Sequence, residues 1–176
     1  MTDTLKARTE QKLRFAKLHV DEFAAMPPGR GHDFERAHQE AVLAQLFGAY
    51  DAFLNELNVL LGCGRGENDI SLGKLRESVK AKSRPSAVLR RLYELQEDDQ
   101  SWFRQAQELR HITSHVAGLP LAYYVGGPES GKVALKHPRT MQEFPGAAVS
   151  TLSTWVVNMQ DLIDELRELA EVEGAG

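Results

Sequence analysis

Residues Glu108 to His115, reading Glu-Leu-Arg-His-Ile-Thr-Ser-His, place an arginine, two histidines and a serine close together in the chain. On a helix they span about a turn and a half. A guanidinium can neutralise a phosphorane-like transition state, and an imidazole can exchange a proton near neutral pH. An arginine paired with a histidine is therefore a minimal kit for cutting a phosphodiester. On that helix Trp102, Ala106, Leu109, Ile112 and Val116 form an apolar stripe, while Arg110, Ser114, His111 and His115 fill one arc on the opposite side.

A helical frame is expected to position this arc. A first helix from about Thr4 to Met26 turns Leu13, Ala16, Val20 and Phe23 inward and stops at Pro27-Pro28-Gly29. The second, from about Asp33 to Leu61, becomes apolar nearly all round after Ala41 and is expected to be the central, most buried element. After a glycine-rich loop from Gly62 to Asn68, Ser71 and then Ser83 followed by Pro85 are start signals for two shorter helices. The motif helix runs from about Asp99 to Ala117 and closes at Gly118 and Pro120. Leu121 to Val125 and Lys132 to Lys136 read as a β-hairpin or ordered loop, and a long amphipathic helix from about Pro145 to Val172 follows. The fold class is all-α: an antiparallel bundle of five to six helices in one domain, 1–173, with 174–176 as a disordered tail.

Composition narrows the function. With 176 residues, of which 42% are hydrophobic, the chain holds one sizeable core. It has no apolar run of the roughly 18 to 20 residues that span a bilayer, and its polar N-terminus lacks a signal-peptide core. The lone Cys63 excludes an internal disulfide and fits a reducing, cytoplasmic setting. A net charge of −4 argues against broad nucleic-acid binding, which depends on Lys and Arg neutralising phosphates. The charge is uneven, however. Lys74, Arg76, Lys80, Lys82, Arg84, Arg90 and Arg91 face only Glu77, whereas Asp161 to Glu173 is strongly acidic. Lys80, Lys82 and Arg84, with Ser114 of the arc, are the candidate substrate-binding residues.

The run Arg110-His111-Ile112-Thr113-Ser114-His115 resembles the HEPN signature of an arginine, a polar residue, three residues and a histidine. Its place before a final long helix is similar too. The run Ala7-Arg8-Thr9-Glu10-Gln11-Lys12-Leu13-Arg14-Phe15-Ala16 resembles an uncharacterised bacterial domain family. Arg14 with His19 and Arg104 with His111 satisfy the same arginine-to-histidine spacing, so context selects Arg110: a polar residue follows it, whereas Arg14 precedes Phe15, a core residue by pattern. The HEPN resemblance implies a metal-independent ribonuclease, or an RNA- or nucleotide-binding protein, of a bacterial defence or toxin type. Arg110 would hold the scissile phosphate, His115 would act as acid or base on the ribose 2′-hydroxyl, and His111 would orient or assist. It implies no cofactor, and a homodimer in which two copies of the arc meet.

Two other classes stay open. One is a helical interaction module without nuclease activity. The other is a di-metal carboxylate bundle, because Glu35-x-x-His38 and Glu108-x-x-His111 share the ligand spacing of such proteins.

Overall fold

A computed structural model describes residues 2–26, 31–66, 68–115 and 118–174, with the side chain of His115 outside the description. Among these residues there are six helices and one two-stranded sheet: α1 (Thr2–Ala24), α2 (His32–Leu60), α3 (Leu72–Ala81), α4 (Ala87–Glu97), α5 (Trp102–His115), β1 (Leu121–Tyr123), β2 (Val133–Leu135) and α6 (Ala148–Gly174). The fold is a predominantly all-α bundle, as the periodicity implies. The Pro27-Pro28-Gly29 stop lies outside the described residues, and α1 ends before it.

The helix ends follow local hydrogen bonding. Ser71 caps α3 by accepting from the Lys74 backbone N–H at 3.3 Å. The cap of α4 is Ser86, which accepts from Leu89 N–H at 3.2 Å, and not the expected Ser83. Ser83 instead takes a left-handed φ of 54° just past α3. Pro85 explains the shift, because it disfavours helical backbone at Arg84 and postpones the start. The motif helix begins at Trp102 rather than Asp99, because Ser101 Oγ accepts from Arg104 N–H at 3.0 Å. At the other end α6 continues through Gly174, the first residue of the expected tail, while Ala175 and Gly176 lie outside the described residues. A Cβ on Gly174 would stand 2.9 Å from the Leu60 carbonyl oxygen, so only glycine closes α6 this near the end of α2.

The second helix is the hub. Val42, Leu43, Leu46, Phe53 and Leu57 are fully or almost fully buried and belong to one core shared with α1, α3, α4, α5 and α6. Leu13, Ala16 and Val20 of α1 pack into it as their spacing predicts. Phe15 does not: it lies on the far side of the helix from that stripe and is 37% exposed. Pairing of Lys12 with Gln45 at 2.9 Å and approach of His19 to His38 show that α1 runs antiparallel to α2. The hairpin pairs Leu121 with Leu135 and Tyr123 with Val133, and its β2 strand packs on α6.

A buried ion pair crosses the centre of the bundle. Arg167 of α6 donates to Glu56 of α2 through Nε at 3.0 Å and Nη2 at 3.1 Å, and Thr9 of α1 donates its hydroxyl to the same carboxylate. Glu56 is 1% exposed. Removing one partner leaves an uncompensated buried charge. We therefore expect Arg167→Met to cost about 3 to 5 kcal/mol of unfolding free energy in a denaturant titration. Glu56→Leu combined with Arg167→Met should recover most of that loss; a double variant no more stable than the single one would refute the charge-burial explanation.

Candidate functional site

The motif helix is oriented by its aromatic face. Phe103 is fully buried, with its ring 5.6 Å from that of Phe47 and 5.0 Å from that of Tyr50 in edge-to-face contacts. The stripe therefore differs from the one read by periodicity: Phe103, Ala106 and Leu109 are buried, whereas Trp102 and Ile112 are only half-buried. Val116 lies outside the described residues. Burial of a side chain of this size contributes about 2 kcal/mol, enough for Phe103 to set the rotation of the helix.

That rotation leaves Arg110 half-buried and both His111 and Ser114 exposed. Arg110 and His111 line a groove of about 480 Å3 with Arg104, Glu108 and Ile112 of the same helix. Its other wall is Pro138 and Arg139, from the loop after β2. Among the described residues Glu108 is the only carboxylate in the lining. Arg104 Nε approaches it at 2.9 Å, and Arg139 also pairs with it. Two guanidiniums thus share one carboxylate. Among the described residues the Arg110 guanidinium forms no ion pair; the charge it senses is Asp51 of α2. Burial pushes the Asp51 carboxyl above its ordinary range, and Arg110 pulls it part of the way back.

Arg139 had no helical pattern or short spacing to mark it, since it enters from a loop 31 residues away from Glu108. The pairing of Arg104 with His111, set aside in the sequence in favour of Arg110, falls in the same groove. Arg14 and His19 do not join it. α5 ends at His115, whose side chain is outside the description.

The other candidate substrate residues are elsewhere. Lys80 and Arg84 line a groove between α3 and α4 that shares no residue with the α5 groove. Lys82 donates its ammonium to the Gly62 carbonyl, and Arg84 Nη2 donates to the Glu173 carbonyl at 2.8 Å. Their sequence clustering reflects tethering of the α3–α4 turn to the ends of α2 and α6.

The two Glu-x-x-His pairs do not converge. Glu108 is held by Arg104 and Arg139, while Glu35 approaches His32 at 3.8 Å. Among the described residues no group of three or more His, Cys, Asp or Glu side chains is placed to hold a metal ion. His38 packs instead against Phe34 and His19, with ring centroids 4.8 and 5.6 Å apart. Cys63 is half-buried in its loop, and burial raises its thiol pKa, against the pull of Lys82 and Arg65. That is the opposite of nucleophile activation.

The chain belongs to the family of unknown function DUF6586, whose family model matches residues 1–172. That match spans nearly the whole chain, not the N-terminal run alone. No curated protein and no solved structure matches it.

His19 supplies a pH test of the bundle around α2. Burial lowers its pKa from 6.5 and the neighbouring His38 lowers it further, against a smaller opposing pull from Glu22. The folded protein therefore resists taking up this proton while the unfolded chain accepts it. Stability associated with neutral His19 is present above pH 6.5 and is lost as the pH falls through the lowered folded value. His19→Gln should flatten the decline in melting temperature between neutral and mildly acidic pH; an unchanged slope would assign the decline to other groups.

Proposed function

We propose that the α5 groove binds the phosphate of RNA or of a nucleotide, in a HEPN-like protein of the bacterial defence or toxin type. The observation that carries this reading is the sharing of one groove by Arg104, Arg110, Arg139 and His111, with Glu108 as its only carboxylate among the described residues. Guanidinium groups recognise phosphate through paired N–H donors. Arg110, without an ion-pair partner among the described residues, is the one available to a ligand. A local site of this kind is compatible with a net charge of −4, because it needs only a few phosphate contacts.

The catalytic extension assigns Arg110 to the scissile phosphate and His115 to proton exchange with the ribose 2′-hydroxyl, with His111 assisting and Ser114 contacting substrate. That hydroxyl attacks the adjacent phosphorus, the 5′-oxygen departs, and the product ends in a 2′,3′-cyclic phosphate. A homodimer would enclose the phosphate between two grooves. The pairing of Glu108 with Arg104 and Arg139 favours a second reading, a binding module without cleavage, because it offsets part of the cationic charge.

End-labelled single-stranded RNA in EDTA, followed for both binding and cleavage, tests these readings. Arg110→Ala should weaken binding by about tenfold or more, and His115→Ala should abolish cleavage while sparing binding. Arg110→Ala should also leave stability within about 1 kcal/mol, because its guanidinium forms no ion pair among the described residues. Binding by the wild type without cleavage would establish the module, and neither binding nor cleavage would overturn the phosphate reading. Sedimentation at micromolar concentration should give a dimer; a strict monomer would remove the composite site.

A further inference from the structure

The groove between α3 and α4 is larger than the one at α5, about 650 Å3, and its character is different. Val79 and Leu89, both in the core, form its floor with Pro85. Arg76, Lys80, Arg84 and Arg90 stand around the rim, and among the described residues Glu173 is the one carboxylate in the lining. An apolar floor under a cationic rim suits a ligand with apolar side chains and carboxylates alternating along its length. A nucleic-acid strand suits it less. The single aromatic residue, Tyr93, has one ring face covered by the Arg76 guanidinium, 3.7 Å from the ring centroid, so that face is closed to a stacking base.

The chain itself shows what this surface accepts. The acidic end of α6 docks beside the groove: Glu173 Oε1 accepts from the backbone N–H groups of Ala87 and Val88 at 2.6 and 3.2 Å, at the start of α4. Arg84 adds a bond to the Glu173 carbonyl. A carboxylate at a helix N-terminus is favoured by the helix dipole. That interface uses Arg84 and leaves Arg76, Lys80 and Arg90 along the remainder of the rim, all exposed. Among the described residues Arg90 has only a surface partner, Glu94 at 3.8 Å.

We propose that the α3–α4 groove docks an acidic amphipathic peptide segment of a partner protein. Its apolar side chains lie on Val79 and Leu89, and its carboxylates meet Arg76, Lys80 and Arg90. The surface continues outward the contact that the chain already makes with its own acidic α6.

Fluorescence anisotropy with three probes tests this: a short labelled peptide carrying Leu and Glu at helical spacing, the same peptide with Gln for Glu, and a uridine oligonucleotide. The acidic peptide should bind the wild-type protein and the Gln peptide should not. Arg76→Glu with Lys80→Glu and Arg90→Glu should reduce affinity for the acidic peptide by about tenfold or more. The uridine oligonucleotide should behave alike with wild type and variant, since the α5 groove is untouched. Arg90→Gln alone, at an exposed position, should weaken peptide binding by a smaller factor and serves if the triple variant fails to fold. Failure of the acidic peptide to bind, equal binding by the variants, or loss of oligonucleotide rather than peptide binding in the triple variant would each overturn the proposal.

Discussion

The contact between Glu56 and Arg167 sets the terms for the rest of the bundle. A carboxylate 1% exposed is tolerated only where its hydrogen-bonding capacity is met, and here a guanidinium from α6 and a hydroxyl from α1 meet it together. Because these donors come from different helices, sliding either one by a residue would strand the charge. Apolar packing between long helices tolerates several registers, but this polar contact favours one. Glu10 and Asp164 extend the network toward the surface at 3.7 and 3.3 Å from Arg167, so the guanidinium is held from several directions.

With α1, α2 and α6 aligned in this way, the remaining helices take their places from α2. Phe47 and Tyr50 offer a ring surface on which Phe103 rests, which turns Arg110 of α5 toward the side carrying Asp51. The opposite wall of the groove depends on the hairpin. Antiparallel pairing of β1 with β2 delivers the chain to Pro138 and Arg139 just past the second strand, where His137 Nδ1 accepts from the backbone N–H groups of Arg139 and Thr140 and shapes the turn. The cationic groove is therefore a consequence of the fold more than of the α5 sequence, since one of its guanidiniums arrives from a separate element.

That division explains what was legible in the sequence. The helices, the hairpin and the centrality of α2 follow from apolar periodicity and turn residues, which act over a few positions. Ser71 was readable as a cap, whereas Ser83 and Ser86 both flank Pro85 and periodicity does not choose between them; the backbone preference imposed by proline does. Trp102 and Phe103 are adjacent and both aromatic, and only the rings waiting on α2 decide that Phe103 is the buried one. Phe15 looked internal because it is aromatic, yet its angular position opposes Leu13 and Ala16. In the site, Arg110 and His111 were readable as one arc, but Arg139 and the neutralising role of Glu108 were not. Neither leaves a mark at short range, and Glu56 with Arg167, 111 residues apart, is the extreme case.

Spacing also grouped charges that the fold separates. Lys80, Lys82 and Arg84 lie within five positions of one another, yet Lys82 and Arg84 serve backbone carbonyls at the ends of α2 and α6, while Lys80 lines the α3–α4 groove beside Arg84. A basic run is thus divided between tying helices together and presenting charge. The same holds at α5, where Arg104 and Arg139 converge on Glu108 while Arg110 is held by no ion pair among the described residues. An arginine already paired is preorganised, with its side chain ordered before any ligand arrives, whereas an unpaired one has its full charge to offer. The α5 groove contains both kinds within one helix and one loop, so the paired residues shape the cavity and, in the function proposed above, Arg110 would supply its attraction for an anion.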